Sequence, residues 1–176
     1  MLSVGIRRMN VLLIVMCLTL LIACDNGALN PTQRMQLLEF GTFRKLASQE
    51  DVSAPAAIAG ARHAVSKVLL LERTTNVTAR VGTSFGFHTK MPGKASGEVI
   101  RCTAKCIHPK MTDPTSGHSS EVEQWDTSGL AGQEGFIGYT FDNSWELVPG
   151  PWTIQVFMAS ELVIERTFNV RSPSKN

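Results

Sequence analysis

One short run near the C-terminus constrains the rest of the chain: Glu146-Leu147-Val148-Pro149-Gly150-Pro151-Trp152. Pro149 fixes its own φ and Gly150 tolerates positive φ, so the chain turns there. Pro151 has no N–H to give to a ladder, which suits the first position of a following strand. From that point Trp152, Ile154, Val156 and Met158 share one face, while Thr153 and Gln155 take the other. Alternation with period two marks a half-buried strand. Phe136, Gly138, Tyr139 and Phe141 precede the corner as a strand of their own. Ala159-Ser160-Glu161 reads as a turn, and Leu162, Ile164, Phe168 and Val170 recur beyond it at even spacing. The result is a C-terminal hairpin, a common closing element of a β-sandwich.

The same grammar runs upstream. Met35 to Leu46 reads as a first strand with Gly41 as its bulge. Ser48 to Gly60 reads as a loop and Val65 to Arg73 as a buried strand. Val77, Ala79 and Val81 alternate with Thr78 and Arg80. Phe85, Phe87, Thr89 and Met91 share a face opposite Ser84, Gly86, His88 and Lys90, before a turn at Pro92-Gly93. Ile100, Cys102, Ala104 and Cys106 point one way; Arg101, Thr103 and Lys105 point the other. A short strand at Glu121–Trp125 sits between loops at 109–120 and 127–133. Seven to nine short strands and no long helix predict an all-β, antiparallel, immunoglobulin-like β-sandwich.

The N-terminus is of another kind. Arg7 and Arg8 precede an apolar run of thirteen residues, Val11 to Ala23. A spanning helix needs about 20 residues, so this run reads as a signal-peptide core. It ends Leu21-Ile22-Ala23-Cys24, which resembles the lipobox of bacterial lipoproteins. That resemblance implies a diacylglyceryl group on the Cys24 thiol, cleavage just before it and acylation of the new amine. Several chains give a stable anchor where one holds only reversibly. Asp25 resembles an inner-membrane retention signal. The expected layout is a signal peptide at 1–23, the lipidated Cys24 with a polar tether to 33, a sandwich over 34–171 and a tail at 172–176. The expected place is the periplasmic side of a bacterial cell membrane, inner rather than outer. The whole chain carries 17 Lys+Arg and 15 Asp+Glu. Losing Arg7 and Arg8 leaves the remainder formally neutral. There is no basic stripe with interleaved aromatics, so no nucleic-acid partner is expected.

Thr83-Ser84-Phe85-Gly86-Phe87, His108-Pro109, Pro114, Gly135-Phe136, Gly138-Tyr139, Phe141 and above all the ELVPG-x-W string at 146–152 resemble the bacterial family labelled domain of unknown function 3859. The resemblance covers roughly residues 34–170 and implies an immunoglobulin-type sandwich in exported proteins. It implies no activity, cofactor or catalytic residue.

Several residues invite a chemical reading. Cys102, Cys106 and His108 form C-x₃-C-x-H, with His118 further on. Structural zinc needs a second ligand pair on another turn, and only two His remain to supply it. A disulfide suits an oxidising compartment. Four residues apart on one straight strand, however, the two Cα atoms sit about 13 Å apart, beyond the ~7 Å a bridge spans. Two buried core thiols are the favoured expectation, a disulfide at a chain reversal the second and a metal site the third. Glu146 with Asp142 is a candidate acid pair for a glycosidase, but turn capping accounts for them better. Asp113, His118 and nearby Ser residues lack a nucleophile-elbow pattern. His88 lies on the polar face of its strand. Trp145 is the tryptophan most open to stacking a ligand, against the plainer role of closing the sandwich end. The expected function is a non-catalytic binding domain without cofactor. Its loops at 109–120, 127–133 and 142–150 would form one surface carrying Trp145, Glu146, His118 and Asp113, met by an envelope protein or polymer. The alternatives are an enzyme acting on envelope glycans or peptides, and a thiol or metal sensor.

Overall fold

The computed structural model describes residues 33–53, 61–94 and 96–174, with side chains left out at 47–53 and 61–66. The expected signal peptide, Cys24 and Asp25 lie outside these residues. Nine strands follow one another: β1 Gln36–Ser53, β2 Ala61–Glu72, β3 Asn76–Thr78, β4 Ser84–Lys90, β5 Val99–Thr112, β6 Ser119–Leu130, β7 Glu134–Thr140, β8 Gly150–Met158 and β9 Glu161–Arg171. One 3₁₀ turn, Ser144–Glu146, interrupts the connection from β7 to β8. Among the described residues no helix is long and apolar enough to cross a membrane. The strands form two sheets, one ordered β2-β1-β4-β7 and the other β3-β9-β8-β5-β6. Every pair is antiparallel except β3 with β9, which runs parallel.

The core lies between the sheets and comes from the predicted faces. Trp152, Ile154 and Val156 of β8 are 0% exposed, as are Phe85 and Phe87 of β4 facing them. Trp152 sits at the centre. Its ring meets Phe85 at 5.9 Å, Phe141 at 5.3 Å and Tyr139 at 4.9 Å, all edge-on, and stacks on His108 at 4.9 Å. Its indole N–H donates to the Val148 carbonyl at 3.0 Å, which ties the proline corner to the core. Within the four-stranded sheet, β4 and β7 approach closely where they pair glycine against glycine, Gly86 opposite Gly138. A Cβ on Gly86 would lie 2.5 Å from the Gly138 Cα.

The structure departs from the expected elements in several places. The run at Val65–Arg73, expected as a buried strand, lies in β2 as far as Glu72, and Leu69 and Leu71 there are exposed. β1 continues through Ser53, so 48–53 of the expected loop is strand, and 54–60 lie outside the described residues. β5 runs on past His108 to Thr112, taking Pro109 into a register shift between Ile107 and Met111. β6 extends to Leu130, so Thr127–Leu130 is strand rather than loop. Composition hides this: Thr, Ser and Gly read as loop, yet nine unbroken pairs from Val99↔Leu130 to Ile107↔Val122 hold them to β5. Finally, Leu162 is 43% exposed instead of joining Ile164 inside. Val156 pairs with Ile164 while Phe157 pairs with Leu162, so Val163 is an extra residue in β9. A bulge of one residue puts everything before it on the other face.

Candidate functional site

The corner after β7 is built by its own side chains. Glu146 is 3% exposed. One carboxylate oxygen accepts the Asp142 backbone N–H at 2.8 Å and the other accepts the Asn143 side-chain N–H at 2.8 Å. Trp145 is half-buried and packs against the core cluster. Glu146 is therefore an internal brace of the 142–146 loop and not a surface group, which corrects its place in the expected binding surface. Its only neighbouring acid in that loop is Asp142, whose N–H it already holds. Burial raises the Glu146 carboxyl above the usual carboxylate range, against the lowering effect of the bonds from Asn143 and Asp142.

That shift has a testable sign. A carboxyl with a raised folded pKa takes its proton more readily when folded, so its contribution to stability is full at acid pH and is lost as pH rises through the folded value. Glu146→Gln should flatten this part of the decline between acid and neutral pH. Glu146→Ala should cost about 1–3 kcal/mol by leaving both donors unanswered. Urea midpoints measured across that range check both, and identical pH slopes for wild type and the Gln variant would contradict the assignment.

The tip of the β5–β6 hairpin holds Asp113 and His118. Asp113 accepts the Thr115 N–H and the Ser116 hydroxyl, each at 2.8 Å, and its N–H donates to the His118 carbonyl at 2.9 Å. These bonds, the Thr115 N–H first, hold the exposed Asp113 carboxyl below its ordinary range. Asp113 thus shapes a turn, and the His118 ring stands exposed beside it.

The expected surface divides between two ends. Thr112 pairs with Ser119 and Val99 with Leu130, so the 113–118 tip and the 130–133 turn lie at opposite ends of one hairpin. Thr153 of β8 pairs with Ile107, which places Gly150 and the proline corner toward the 113–118 end. The turn at 131–133 instead bonds to Met91, Pro92 and Glu98 at the far end. Sequence order alone does not say which end a loop occupies, and the three loops do not form one surface.

Cys102 and Cys106 both point inward from β5, both buried and neither in a disulfide. Burial, with the negative charge of Asp126 second, pushes the Cys102 thiol up to about 11. His108 is 4% exposed and stacks on Trp152. Its Nδ1 lies 2.8 Å from the Pro109 carbonyl oxygen. Among the described residues no three His, Cys, Asp or Glu side chains are grouped to hold a metal ion. His88 sits on the outer face of the other sheet, 3.3 Å from Glu39 and 3.2 Å from Glu134.

The structure adds a feature with no signal in the sequence. On the outer face of β5, β6 and β8 lies an open groove of about 730 Å³, bordered by Arg101, Lys105, Gln124, Asp126, Ser128 and Phe157 among others. Thr103 donates to Asp126 across the strands at 2.9 Å. Alternation shows that Arg101, Thr103 and Lys105 face outward. It does not show that Ser128, Asp126 and Gln124 stand opposite them.

A family profile described as a domain of unknown function (DUF3859) matches residues 32–170. The chain belongs to the DUF3859 family. No curated protein matches it. Among solved structures it is similar to an immunoglobulin-like protein from Pseudomonas aeruginosa, at a TM-score of 0.54 and 21% identity, over 81% of this chain and 100% of that one. At that identity the likeness shows the fold: this DUF3859 domain is an immunoglobulin-like β-sandwich. Antibody domains join their sheets with a disulfide and pack a tryptophan on it. In this DUF3859 domain neither described cysteine is in a disulfide, and Trp152 of one sheet packs directly on Phe85 of the other.

Proposed function

We propose that this DUF3859 protein is a lipid-anchored, non-catalytic interaction domain displayed on the periplasmic side of a bacterial membrane. The anchor rests on the Leu21-Ile22-Ala23-Cys24 run, and Asp25 favours the inner membrane. The observation that carries the non-catalytic part is the employment of the candidate groups. Glu146 braces its loop, Asp113 shapes a hairpin tip, and Cys102 is buried with its thiol held in the neutral form. A thiolate sensor needs a lowered pKa and access, and Cys102 has the reverse of both. What stays open to a partner is the outer face of β5, β6 and β8.

In-cell cross-linking of the full-length protein, followed by membrane fractionation, tests the proposal. The wild type should sediment with membranes and cross-link to an envelope component. Replacing residues 1–24 with an ordinary cleavable secretory signal should move the protein to the soluble periplasmic fraction, because both the apolar run and all acyl chains are then lost. Retention of that variant in the membrane, or no envelope component above background, would overturn the proposal.

A further inference from the structure

β6 is one of the two edges of the five-stranded sheet, opposite the three-residue β3, and among the described residues no strand pairs with its outer side. An edge strand presents unpaired N–H and C=O groups, and proteins usually blunt it with Lys, Pro, bulges or short length. β6 is twelve residues long, runs nine pairs against β5 without a shift, and has no Lys, Arg or Pro in SSEVEQWDTSGL. Of the usual devices it has an inward-pointing acidic residue, Glu123, which is buried. Its first turn is covered: the Val122 N–H donates to the Ser120 hydroxyl at 3.0 Å, and that hydroxyl donates to the Val122 carbonyl at 2.5 Å. This fixes the parity of the strand. In an antiparallel ladder, residues bonded to the neighbour alternate with residues whose backbone groups face away. Val122 faces away, so Gln124, Asp126 and Ser128 do as well.

We propose that this stretch of β6 binds an extended, basic peptide segment of another envelope protein, which joins the sheet as a sixth strand. The inference rests on the interaction-domain reading and names its partner class. The charge at the edge itself selects the occupant: Glu121 and Asp126 are the exposed acids of β6 and the strand holds no base, while Arg101 and Lys105 lie one strand further in, on β5. A second copy of β6 would bring acids against acids, and like charges opposed across strands are destabilising. A Lys or Arg opposite Asp126 meets the reverse condition. Val122 and Leu130, 40% and 37% exposed, offer apolar contacts at the two ends of the same face.

The test uses ¹⁵N-labelled mature lipoprotein in detergent and excess amidated peptide of about seven residues, Thr and Val alternating around a central Lys. Amide exchange at Gln124, Asp126 and Ser128 should slow by about tenfold, while Glu123, Trp125 and Thr127, already bonded to β5, stay unchanged. A peptide with central Glu should have little effect, and Asp126→Lys should reverse that preference. Gln124→Pro removes one edge donor at a position where proline is tolerated. It should abolish the slowing while leaving the near-UV signal of the core tryptophan intact. No selective slowing, or equal slowing by the Lys and Glu peptides, would overturn the proposal. So would slowing without peptide that grows with protein concentration, which would assign the edge to a second copy. An envelope cross-link that depends on the anchor but is unchanged by Gln124→Pro would leave the interaction domain standing and remove this edge from it.

Discussion

Trp152→Ala is expected to lower the unfolding free energy by about 3–5 kcal/mol, a large share of the 5–15 kcal/mol typical of a domain. The indole is 0% exposed and touches four rings, Phe85, Tyr139, Phe141 and His108. No smaller side chain fills that volume, and each aromatic pair adds about 0.5–1.5 kcal/mol beyond area burial. The substitution also frees the Val148 carbonyl and so loosens the proline corner. Trp152→Phe separates the two effects, since it keeps most of the packing and loses the indole hydrogen bond. Its cost should be about 1–2 kcal/mol. Urea unfolding followed by far-UV circular dichroism measures both. A loss below about 1 kcal/mol for the Ala variant would mean that the sheets are joined elsewhere.

Gly86→Ala should be about as damaging, for a different reason. Gly86 has a φ of +149°, and an added Cβ would lie 2.5 Å from both the Gly138 Cα and the Ile137 carbonyl oxygen. These are backbone atoms of the paired strand and cannot rotate away. Strain and overpacking together should cost about 3–5 kcal/mol. The contrast is Gly117→Ala at the β5–β6 tip. Gly117 has a φ of +71°, and a methyl group added there would meet nothing within 4 Å. At that position only the left-handed conformation counts, at about 1 kcal/mol. Parallel urea titrations of the two variants give the comparison. Equal losses would show that close approach of β4 and β7 does not limit the fold.

Much of the sandwich was legible because alternation needs no knowledge of partners. Trp152, Ile154, Val156 and Met158 fell on the inner face as predicted, and so did Cys102, Ala104 and Cys106. What alternation could not carry is any property set by a second strand. The extra residue at Val163 turned Leu162 outward, and even spacing holds no mark of it. β6 read as loop beyond Trp125 because its stability comes from the ladder with β5 and not from its own residues. The candidate site suffered most. Turn capping was readable for Glu146, and it does cap the Asp142 N–H and the Asn143 side chain; its burial was not readable, because those two bonds are what draw it inside. The grouping of three loops at one end failed because hairpin ends are assigned by pairing. The family string at 146–152 was visible as residues, and its physical role became clear only when Trp152 was seen to bond back to Val148.

The most direct test of the central claim, a lipid-anchored domain without a reactive site, is the intact mass of the mature protein. It would be taken from membranes without reductant, before and after alkylation. The account predicts acyl mass on Cys24 and a chain beginning there. It also predicts that Cys102 and Cys106 take up alkylating reagent only after unfolding, since both are buried thiols and Cys102 holds its proton to about 11. A mature chain lacking acyl mass would contradict the anchor. Rapid alkylation of both thiols in the folded protein would contradict the closed core and return the thiol or metal reading. No alkylation without prior reduction would mean a bridge, which a straight β5 does not allow.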